Sequence, residues 1–375
     1  MMKNHVRKIL AIAFTTTFIC LTLSGLSLAA ETIKIAVAGA HTGDLASYGI
    51  PHVKAAELVV KKINAQGGVL GKPVELIIQD DACKPELATN AATKVVGDGA
   101  HFVIGHTCSG ATKAALGIYK ESKTICISPS ATNTELTLGG DYPNFYRTIA
   151  YDDAQAQLQV NFAVNILKVK TVACLHDKGD YGKGQSELAK KYFEAAGIDV
   201  VLFEGVTPNA VDYSAIVQKI KRNKPDLVLW GGYHPEASKI VGTMRRKKMK
   251  TLFLGADGIK DETFIKVAGI YGEGVYATGP KDVSKNEMTS IANDEHKQAY
   301  GEDPGPFFIE AYSATLAILN AIEKAGSTDY DAVSAALKSE YVDTPLGKIK
   351  FDDKGDAMGV GFSTYRVQNG VYKEL

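Results

Sequence analysis

Residues 33–38 read IKIAVA, residues 39–44 read GAHTGD and residues 74–79 read VELIIQ. The first and third runs are short and apolar, which is typical of buried strands. Between them, apolar residues at positions 55, 56, 59, 60 and 63 predict a helix over Val53–Ala65 that stops at Gly67 and Gly68. A strand, a helix and a second strand in this order predict one unit of a parallel α/β sheet.

The same alternation continues outward along the chain. Further strands are predicted at Phe102–Ile104, Thr124–Ser128, Thr171–His176, Asp199–Glu204, Leu227–Gly231 and Thr251–Gly255. Apolar strands separated by helices favour parallel sheets that are covered on both faces and joined by right-handed crossovers. Since 375 residues exceed what one core usually supports, we expect an α/β protein with two Rossmann-like lobes.

The last third of the chain has a different pattern. Residues 286–338 are mostly helical in pattern, with a long helix predicted over Pro306–Ala325. The pattern then predicts a hairpin-like tail, in which Gly347–Phe351 turns at 353–355 into Phe362–Val367.

The composition excludes some classes of protein. The chain is 45% hydrophobic and 22% charged, with a formal net charge of zero. These values are typical of a globular protein and not of a disordered chain. No strongly basic stretch favours nucleic-acid binding, so we expect no nucleic-acid partner.

The first thirty residues predict a secretory signal peptide. Lys3, Arg7 and Lys8 precede an apolar run over residues 9–23, and small residues follow at 27, 29 and 30. The run is short for a membrane anchor and is interrupted by threonines at 15–17. Ile19 stands before Cys20 where a lipoprotein site needs a small residue, so we expect a periplasmic protein and not a lipoprotein.

Export places the other four cysteines in an oxidising compartment, where three complete pairings are conceivable. Cys83 lies in a polar loop and Cys108 at a strand end, whereas Cys126 and Cys174 lie inside apolar strands as buried thiols do. We therefore predict one disulfide, Cys83–Cys108. No cysteine or histidine spacing indicates a metal site.

Ligands of open α/β sheets bind beyond the carboxyl ends of the strands. The loops at these ends contain mainly Ser, Thr, Tyr and Asp, and Lys178 is the single lysine or arginine among them, so they lack the cluster of basic residues of a phosphate site. They are residues 39–44, 109–110, 128–132, 177–181, 232–235 and 257–258.

At these loops the chain resembles the leucine/isoleucine/valine-binding proteins of ABC importers, which have the type I periplasmic-binding fold. The similarity covers essentially the whole mature chain. The motifs that carry it are GGVLG at 67–71, DDAC at 80–83, IGHTCS at 104–109, SPSAT at 128–132, HDK at 176–178 with YG at 181–182, and GGYHPE at 231–236. Each motif is weak alone, but their order is specific, and the family's single disulfide matches the predicted one.

The resemblance implies an organisation and a function. The chain would cross three times between lobe 1 (residues 31–149 and 281–357) and lobe 2 (residues 150–280 and 358–375), and ligand would close the lobes by a hinge motion. The expected function is capture of a small amino acid, with Leu, Ile or Val preferred, for a membrane permease and its ATPase. The protein would act as a monomer without a cofactor.

The resemblance also implies the ligand contacts in lobe 1. Ser109 would offer its hydroxyl and, with Gly110, backbone N–H groups to the ligand carboxylate. Thr132 would donate to the carboxylate or accept from the ammonium, and Ser130 and Ala131 would supply main-chain groups. Thr132 and Ser109 have an alternative interpretation as helix caps, since Thr132 and Glu135 have capping-box spacing.

Four aromatic residues would surround the ligand side chain. By the same resemblance, Tyr48 and Phe307 would form an apolar wall in lobe 1, and Tyr181 and Tyr233 would close from lobe 2. Core packing is the ordinary alternative for an aromatic residue. Core packing is less expected for Tyr181 and Tyr233, because both lie in glycine-rich loops after strands.

Asp257 would pair with the ligand ammonium, where the family usually has a glutamate. The side chain is one methylene shorter, and a solvated turn aspartate is the alternative. Ser130 and Glu310 also depart from the family pattern, and each adds polarity near the pocket. Another small polar amino acid or an amide is therefore a second candidate ligand.

Other classes of function have less support in the sequence. An enzyme is not expected, because no Gly-x-Ser-x-Gly motif is present and Ser109 has no base placed by a motif. Residues 39–43 lack the glycine spacing of a nucleotide site. A ligand sensor of the same fold remains an alternative to transport.

Overall fold

The chain forms two main sheets, of which the first uses consecutive strands and the second adds two strands from the end of the chain. The first has the order β2-β1-β3-β4-β5 and is parallel throughout. Its strands are β1 (Ile33–Gly39), β2 (Val74–Asp80), β3 (Phe102–Gly105), β4 (Ile125–Ser128) and β5 (Phe145–Arg147). The predicted α/β class is confirmed.

The second sheet has the order β14-β13-β10-β9-β8-β6-β7, with β13 antiparallel to both of its neighbours. Its strands are β6 (Thr171–His176), β7 (Asp199–Gly205), β8 (Leu227–Gly231), β9 (Leu252–Gly255), β10 (Tyr276–Pro280), β13 (Phe362–Gln368) and β14 (Val371–Glu374). A small antiparallel pair joins β11 (Val342–Thr344) to β12 (Gly347–Ile349).

Helices cover both faces of each main sheet. They are α1 (Ala46–Ala65), α2 (Pro85–Gly97), α3 (Ser109–Glu121), α4 (Glu135–Leu138), α5 (Asp152–Asn165), α6 (Asp180–Ala195), α7 (Ser214–Asn223), α8 (His234–Arg246), α9 (Glu262–Ala268), α10 (Glu287–Tyr300), α11 (Phe308–Ala325) and α12 (Tyr330–Ser339). Short 3-10 turns occupy Asp257–Ile259 and Gly269–Gly272.

Alternation along the strands divides the core between the two faces of a sheet. In β1, Ile35 and Val37 pack against α1 and α11 on one face. Ala36 and Ala38 pack against α2 and α3 on the other face. Side chains that leave a strand in opposite directions are buried on both sides only if helices cover both faces, which explains why these strands are apolar throughout.

This computed structural model describes residues 31–375, and Ile33–Leu375 pack as one compact unit. The chain passes between the two main sheets three times: after β5, after β10 and before β13. The predicted signal peptide lies outside the described residues. No helix within residues 31–375 is long and apolar enough to cross a membrane.

Two element predictions were wrong. The first helix begins at Ala46 and not at Val53, because Tyr48, Gly49 and Pro51 are buried against the rest of the fold. A side chain at Gly49 would place Cβ 2.0 Å from the carbonyl oxygen of Ala40, so glycine permits this close approach. The packing outweighs the presence of a proline inside the helix.

The predicted hairpin-like tail forms only beside its turn, where Phe351 makes an antiparallel bridge to Ala357, and its two strands do not pair with each other. Gly347–Ile349 pairs with Val342–Thr344, and Phe362–Gln368 pairs with β10 and β14 in the second sheet. The two segments therefore belong to different sheets. Adjacent strand patterns predict strands but not their partners, because a long-range partner can bury more surface than a local one.

The Cys83–Cys108 disulfide is present, with a Cα–Cα distance of 5.5 Å, and Cys126 and Cys174 are buried free thiols as predicted. The bond closes a loop with a sequence separation of 25 residues. It joins the loop after β2 to the residue before α3.

Replacing both Cys83 and Cys108 by Ala is expected to lower the free energy of unfolding by about 3 kcal/mol, because the unfolded chain regains the entropy of an open loop. Urea unfolding of the oxidised protein measures this difference. Adding a reductant should lower the stability of the wild type by a similar amount and leave the variant unchanged. A variant as stable as the oxidised wild type would contradict a stabilising role of the bond.

Candidate functional site

The loop after β4 is held by its own side chains. The Ser128 hydroxyl accepts hydrogen bonds from the N–H groups of Ser130 (3.3 Å) and Ala131 (2.9 Å) and donates to the carbonyl of His106 (2.6 Å). The Ser130 hydroxyl donates to the carbonyl of Thr107 at 2.7 Å. These bonds fix the loops after β3 and β4 to each other at the carboxyl edge of the first sheet.

The helix-cap interpretations of Ser109 and Thr132 do not hold. Helix α3 begins at Ser109 itself, and the Ser109 hydroxyl accepts from the N–H of Asn133 at 3.2 Å. Helix α4 begins only at Glu135, preceded by Thr134. The Thr132 hydroxyl is buried and has no hydrogen-bond partner. Neither side chain caps a helix, so both need another explanation.

Two predicted residues of the second sheet contact each other directly. Tyr181 lies in the first turn of α6, and Asp257 follows β9. The Tyr181 hydroxyl donates to Asp257 Oδ1 at 2.7 Å and accepts from the N–H of Gly258 at 2.9 Å. Asp257 is only 3% exposed, and burial raises the pKa of its carboxyl. It is not a solvated turn aspartate.

The aromatic residues cluster between the two sheets. Tyr48 has ring-centroid distances of 5.8 Å to Tyr233 and 6.0 Å to Phe307, and Tyr233 is 5.2 Å from Tyr181. A small cavity lies among these rings. Its walls are Tyr48, Thr107, Ser109, Ser130, Tyr181, Tyr233, Asp257, Gly258 and Phe307.

Seven predicted site residues thus line one cavity, and three do not. Gly110 faces Asp180 and Pro85, whereas Ala131 and Thr132 are fully buried beside the cavity. The cavity has room for about one water molecule. A molecule larger than water enters only if the walls move apart.

Asp152 was not predicted as a site residue from the sequence. It begins α5, immediately after the first passage of the chain between the sheets. Its N–H donates to the carbonyl of Thr132 at 2.9 Å, and its buried carboxylate faces the Thr132 hydroxyl without a well-formed hydrogen bond. Burial, and then the charge of Asp257, raises the pKa of Asp152 to about 8. The nearby Gln155 amide is also buried and faces the carboxyl of Asp257 without a well-formed hydrogen bond. Acidic residues are so common at helix starts that Asp152 and Asp153 carry no distinct signal in the sequence.

The buried carboxyl groups make the region suitable for a cation. Burial raises the pKa of Asp152, Asp257 and Glu310, the last to about 7. A cation placed among them would restore their ionised forms, and the faces of Tyr181 and Tyr233 would add cation–π attraction. Within residues 31–375 no cluster of three or more His, Cys, Asp or Glu side chains could hold a metal ion.

Hydrogen bonds connect α1 to the loops of the second sheet. The Tyr48 hydroxyl donates to the carbonyl of Gly258 at 2.6 Å and lies 2.6 Å from His234 Nδ1. The Ser47 hydroxyl donates to Asp261 Oδ2 at 2.6 Å. These bonds hold the two walls of the cavity together.

Replacing Tyr48 by Phe is expected to lower the free energy of unfolding by about 1–3 kcal/mol, because the buried carbonyl of Gly258 and the ring of His234 lose a partner. Urea unfolding measures the loss. The control is Tyr341→Phe, since Tyr341 is 48% exposed and its hydroxyl makes no hydrogen bond within residues 31–375. Equal stability of the Tyr48 and Tyr341 variants would show that the contact adds nothing.

Comparison with known proteins places the chain in a well-described group. A family model described as "Periplasmic binding protein" matches residues 32–371. The chain is 39% identical over 339 residues to the leucine-, isoleucine-, valine-, threonine- and alanine-binding protein of Pseudomonas aeruginosa, covering 90% of this chain and 91% of that one. It is 34% identical to the Leu/Ile/Val-binding protein of Escherichia coli, with 92% and 94% covered.

Solved structures agree with the sequence comparison. A leucine-binding protein, LivK, of Thermotoga maritima matches with a TM-score of 0.86 at 26% identity, covering 92% of this chain and 97% of that one. The branched-chain amino acid transporter substrate-binding protein LivJ of Streptococcus pneumoniae, in complex with isoleucine, matches with a TM-score of 0.81 at 26% identity. It covers 92% of this chain and 100% of that one.

Proposed function

The chain belongs to the periplasmic binding protein family, and we propose that it is the substrate-binding component of an ABC importer for a small amino acid, with Leu, Ile or Val preferred. One observation carries this proposal. The buried carboxyls of Asp257 and Asp152 lie beside an aromatic cavity that also has serine hydroxyls in its walls. A zwitterion with an apolar side chain matches all three features. The relatives named above, which bind such amino acids, support the choice of ligand.

Each part of the ligand has candidate partners. The ammonium would pair with Asp257 and Asp152 and donate a hydrogen bond to the Thr132 hydroxyl, whose oxygen is buried without a partner. The carboxylate would bind the Ser109 hydroxyl and the free N–H groups of Ser109 and Gly110 in the first turn of α3.

Aromatic rings would surround the ligand side chain. Tyr48 and Phe307 come from the side of the first sheet, and Tyr181 and Tyr233 from the side of the second. Ser130 and Ala131 would shape the end of the cavity through their main chain. Branched aliphatic side chains gain most from such walls, because burial of apolar area is their main source of affinity.

The proposed lobes are residues 31–149 with 281–357, and residues 150–280 with 358–375. Because the cavity is too small for an amino acid, entry requires the lobes to separate by a hinge motion about the three connections between them. The bonds of Tyr48 and Ser47 to the opposite side would then break on opening and form again on closure.

The cellular setting is part of the same proposal. Residues 1–30 would direct export and be removed, and the mature chain would act in the periplasm. It would deliver its ligand to a membrane permease driven by an ATPase, as a monomer and without chemical change of the ligand.

A thermal-shift screen of the common amino acids tests the proposal. Leucine, isoleucine or valine at about 100 times its dissociation constant should add roughly 2.7 kcal/mol to the free energy of unfolding. Related apolar amino acids should rank below the preferred ligand. If no α-amino acid raises the melting temperature, the proposal is wrong.

A further inference from the structure

The edge of the second sheet opposite the candidate site is strongly basic. The site lies at the carboxyl ends of the strands, whereas this edge is formed by the loops that enter the amino ends of β6, β8 and β9. Asp226 joins the three loops. Its Oδ2 accepts from the N–H groups of Lys170 (2.8 Å) and Thr171 (3.0 Å), and its carbonyl accepts from the N–H of Leu252 (3.0 Å). We call this surface the basic edge and define it by seven exposed cationic residues: Lys168, Lys170, Lys221, Arg222, Lys224, Lys248 and Lys250.

The charges of the basic edge are not neutralised by the protein. None of the seven side chains makes an ion pair or a side-chain hydrogen bond within residues 31–375. Of the acidic residues at the amino ends of the parallel strands, Asp226 bonds to the backbone as described, and Glu273 accepts from the N–H groups of Asn369 and Gly370. Asp199 begins the outer strand β7. Such an excess of like charge repels itself and attracts an anionic partner.

The corresponding edge of the first sheet has no such excess. Its loops mix the two signs, with Asp98, Glu121 and Asp141 beside Lys120 and Lys123. Lys120 donates to the carbonyl of Asp141 at 2.7 Å. The helix dipole favours basic residues in the last turn of a helix, but it acts on the helices of both sheets alike. The dipole therefore does not account for the basic edge.

Two exposed isoleucines flank the basic edge. Ile166 is 67% exposed at the end of α5, and Ile270 is 86% exposed in the 3-10 turn before β10. They lie on opposite faces of the sheet, since α5 packs into one apolar core and the segment around Ile270 into the other. An isoleucine gains nothing from a soluble polyanion, whereas at a lipid surface it enters the boundary between headgroups and acyl chains.

The type of cation points the same way. Six of the seven residues are lysines, whose charge sits on a flexible stem and has no fixed hydrogen-bond geometry. Such side chains adapt to mobile headgroups, and their stems can lie along apolar surface while the ammonium stays at the phosphates.

From these observations we propose that the basic edge is a docking surface for a membrane that contains anionic phospholipids. The lysines attract the headgroup phosphates, and Ile166 and Ile270 insert beside them. Because the basic edge lies at the opposite ends of the strands from Tyr181 and Asp257, lipid does not cover the candidate site. The inference is independent of the ligand that the site takes.

Flotation with lipid vesicles tests the proposal. The probes are vesicles of phosphatidylcholine alone and vesicles in which about a third of the lipid is phosphatidylglycerol, each at low salt and at about 0.5 M salt. The wild type should float with the anionic vesicles at low salt and with neither kind at high salt. Its partition coefficient should fall at least about tenfold when glutamine replaces four lysines together, namely Lys168, Lys170, Lys224 and Lys250.

A matched control separates the basic edge from net charge. It makes the same change of charge at four exposed lysines outside the edge and should stay within about twofold of the wild type, because distant charges are screened. These four are Lys61, Lys94, Lys285 and Lys324. Equal losses in the two fourfold variants would overturn the proposal. Melting temperatures show that the variants are folded, as expected for exposed positions.

Heparin separates a lipid surface from a site for any polyanion. Ile270→Asn should lower partition onto the anionic vesicles about three- to tenfold and leave elution from a heparin column unchanged, because only lipid offers an apolar phase. An Ile270 variant that floats like the wild type would overturn the assignment to lipid. So would a wild type that does not float with anionic vesicles at low salt, whether or not it binds heparin.

Discussion

Replacing Asp257 by Asn is expected to weaken binding of an α-amino acid by about 2–5 kcal/mol, because the ligand ammonium loses its charged partner in a buried site. The amide is nearly isosteric and can still accept the hydrogen bond that the Tyr181 hydroxyl donates at 2.7 Å. The variant should therefore fold, and the loss should appear in the dissociation constant measured by calorimetry.

The control for this substitution is Asp153→Asn. It makes the same change of charge one residue after Asp152, but Asp153 is partly exposed and bonds to Gln157 and Tyr192. Its ligand affinity should stay within about twofold of the wild type, as for most surface changes. Near-wild-type affinity of Asp257→Asn would instead show that another group, such as Asp152 or Glu310, holds the ammonium.

Replacing Arg147 by Met is expected to lower the free energy of unfolding by about 3–5 kcal/mol, because it leaves the carboxylate of Asp356 without its buried partner. Arg147 is fully buried, and its Nε donates to Asp356 Oδ1 at 2.5 Å. Its Nη1 also donates to the carbonyls of Ala131 (3.2 Å) and Asn133 (2.8 Å), on either side of Thr132. The substitution should thus weaken ligand binding as well as stability.

Urea unfolding and calorimetry measure the two effects of Arg147→Met. The exposed Arg222→Met is the control and should change the free energy of unfolding by less than about 0.5 kcal/mol. The double variant Arg147→Met, Asp356→Leu should recover part of the lost stability, since no unpaired charge remains. A single variant as stable as the wild type would contradict the role of the ion pair.

The sequence predicted those features that depend on local pattern. Strands such as Ile33–Gly39 and Leu227–Gly231 are apolar throughout because helices cover both faces, and this pattern is visible without a structure. The disulfide could be predicted because the environments of the four cysteines differ. The pairing of β13 could not, because its partners β10 and β14 depend on which distant strand covers its edge.

The residues of the candidate site also divide into those that local pattern predicts and those that depend on distant parts of the chain. Tyr181, Tyr233 and Asp257 follow strands and could be found by position alone. Asp152 could not, because its importance depends on its burial beside Thr132 and Asp257, which only the passage of the chain between the two sheets creates.

Calorimetric titration of the purified protein with L-leucine and, in parallel, with isocaproate tests the central claim most directly. Isocaproate is leucine without its amino group, so it keeps the carboxylate and the branched side chain and loses only the group assigned to Asp257 and Asp152. Leucine should bind at one site per chain, and isocaproate at least about 30-fold more weakly, the equivalent of roughly 2 kcal/mol. Equal affinity for the two, or no binding of leucine, would contradict recognition of an amino acid at this site.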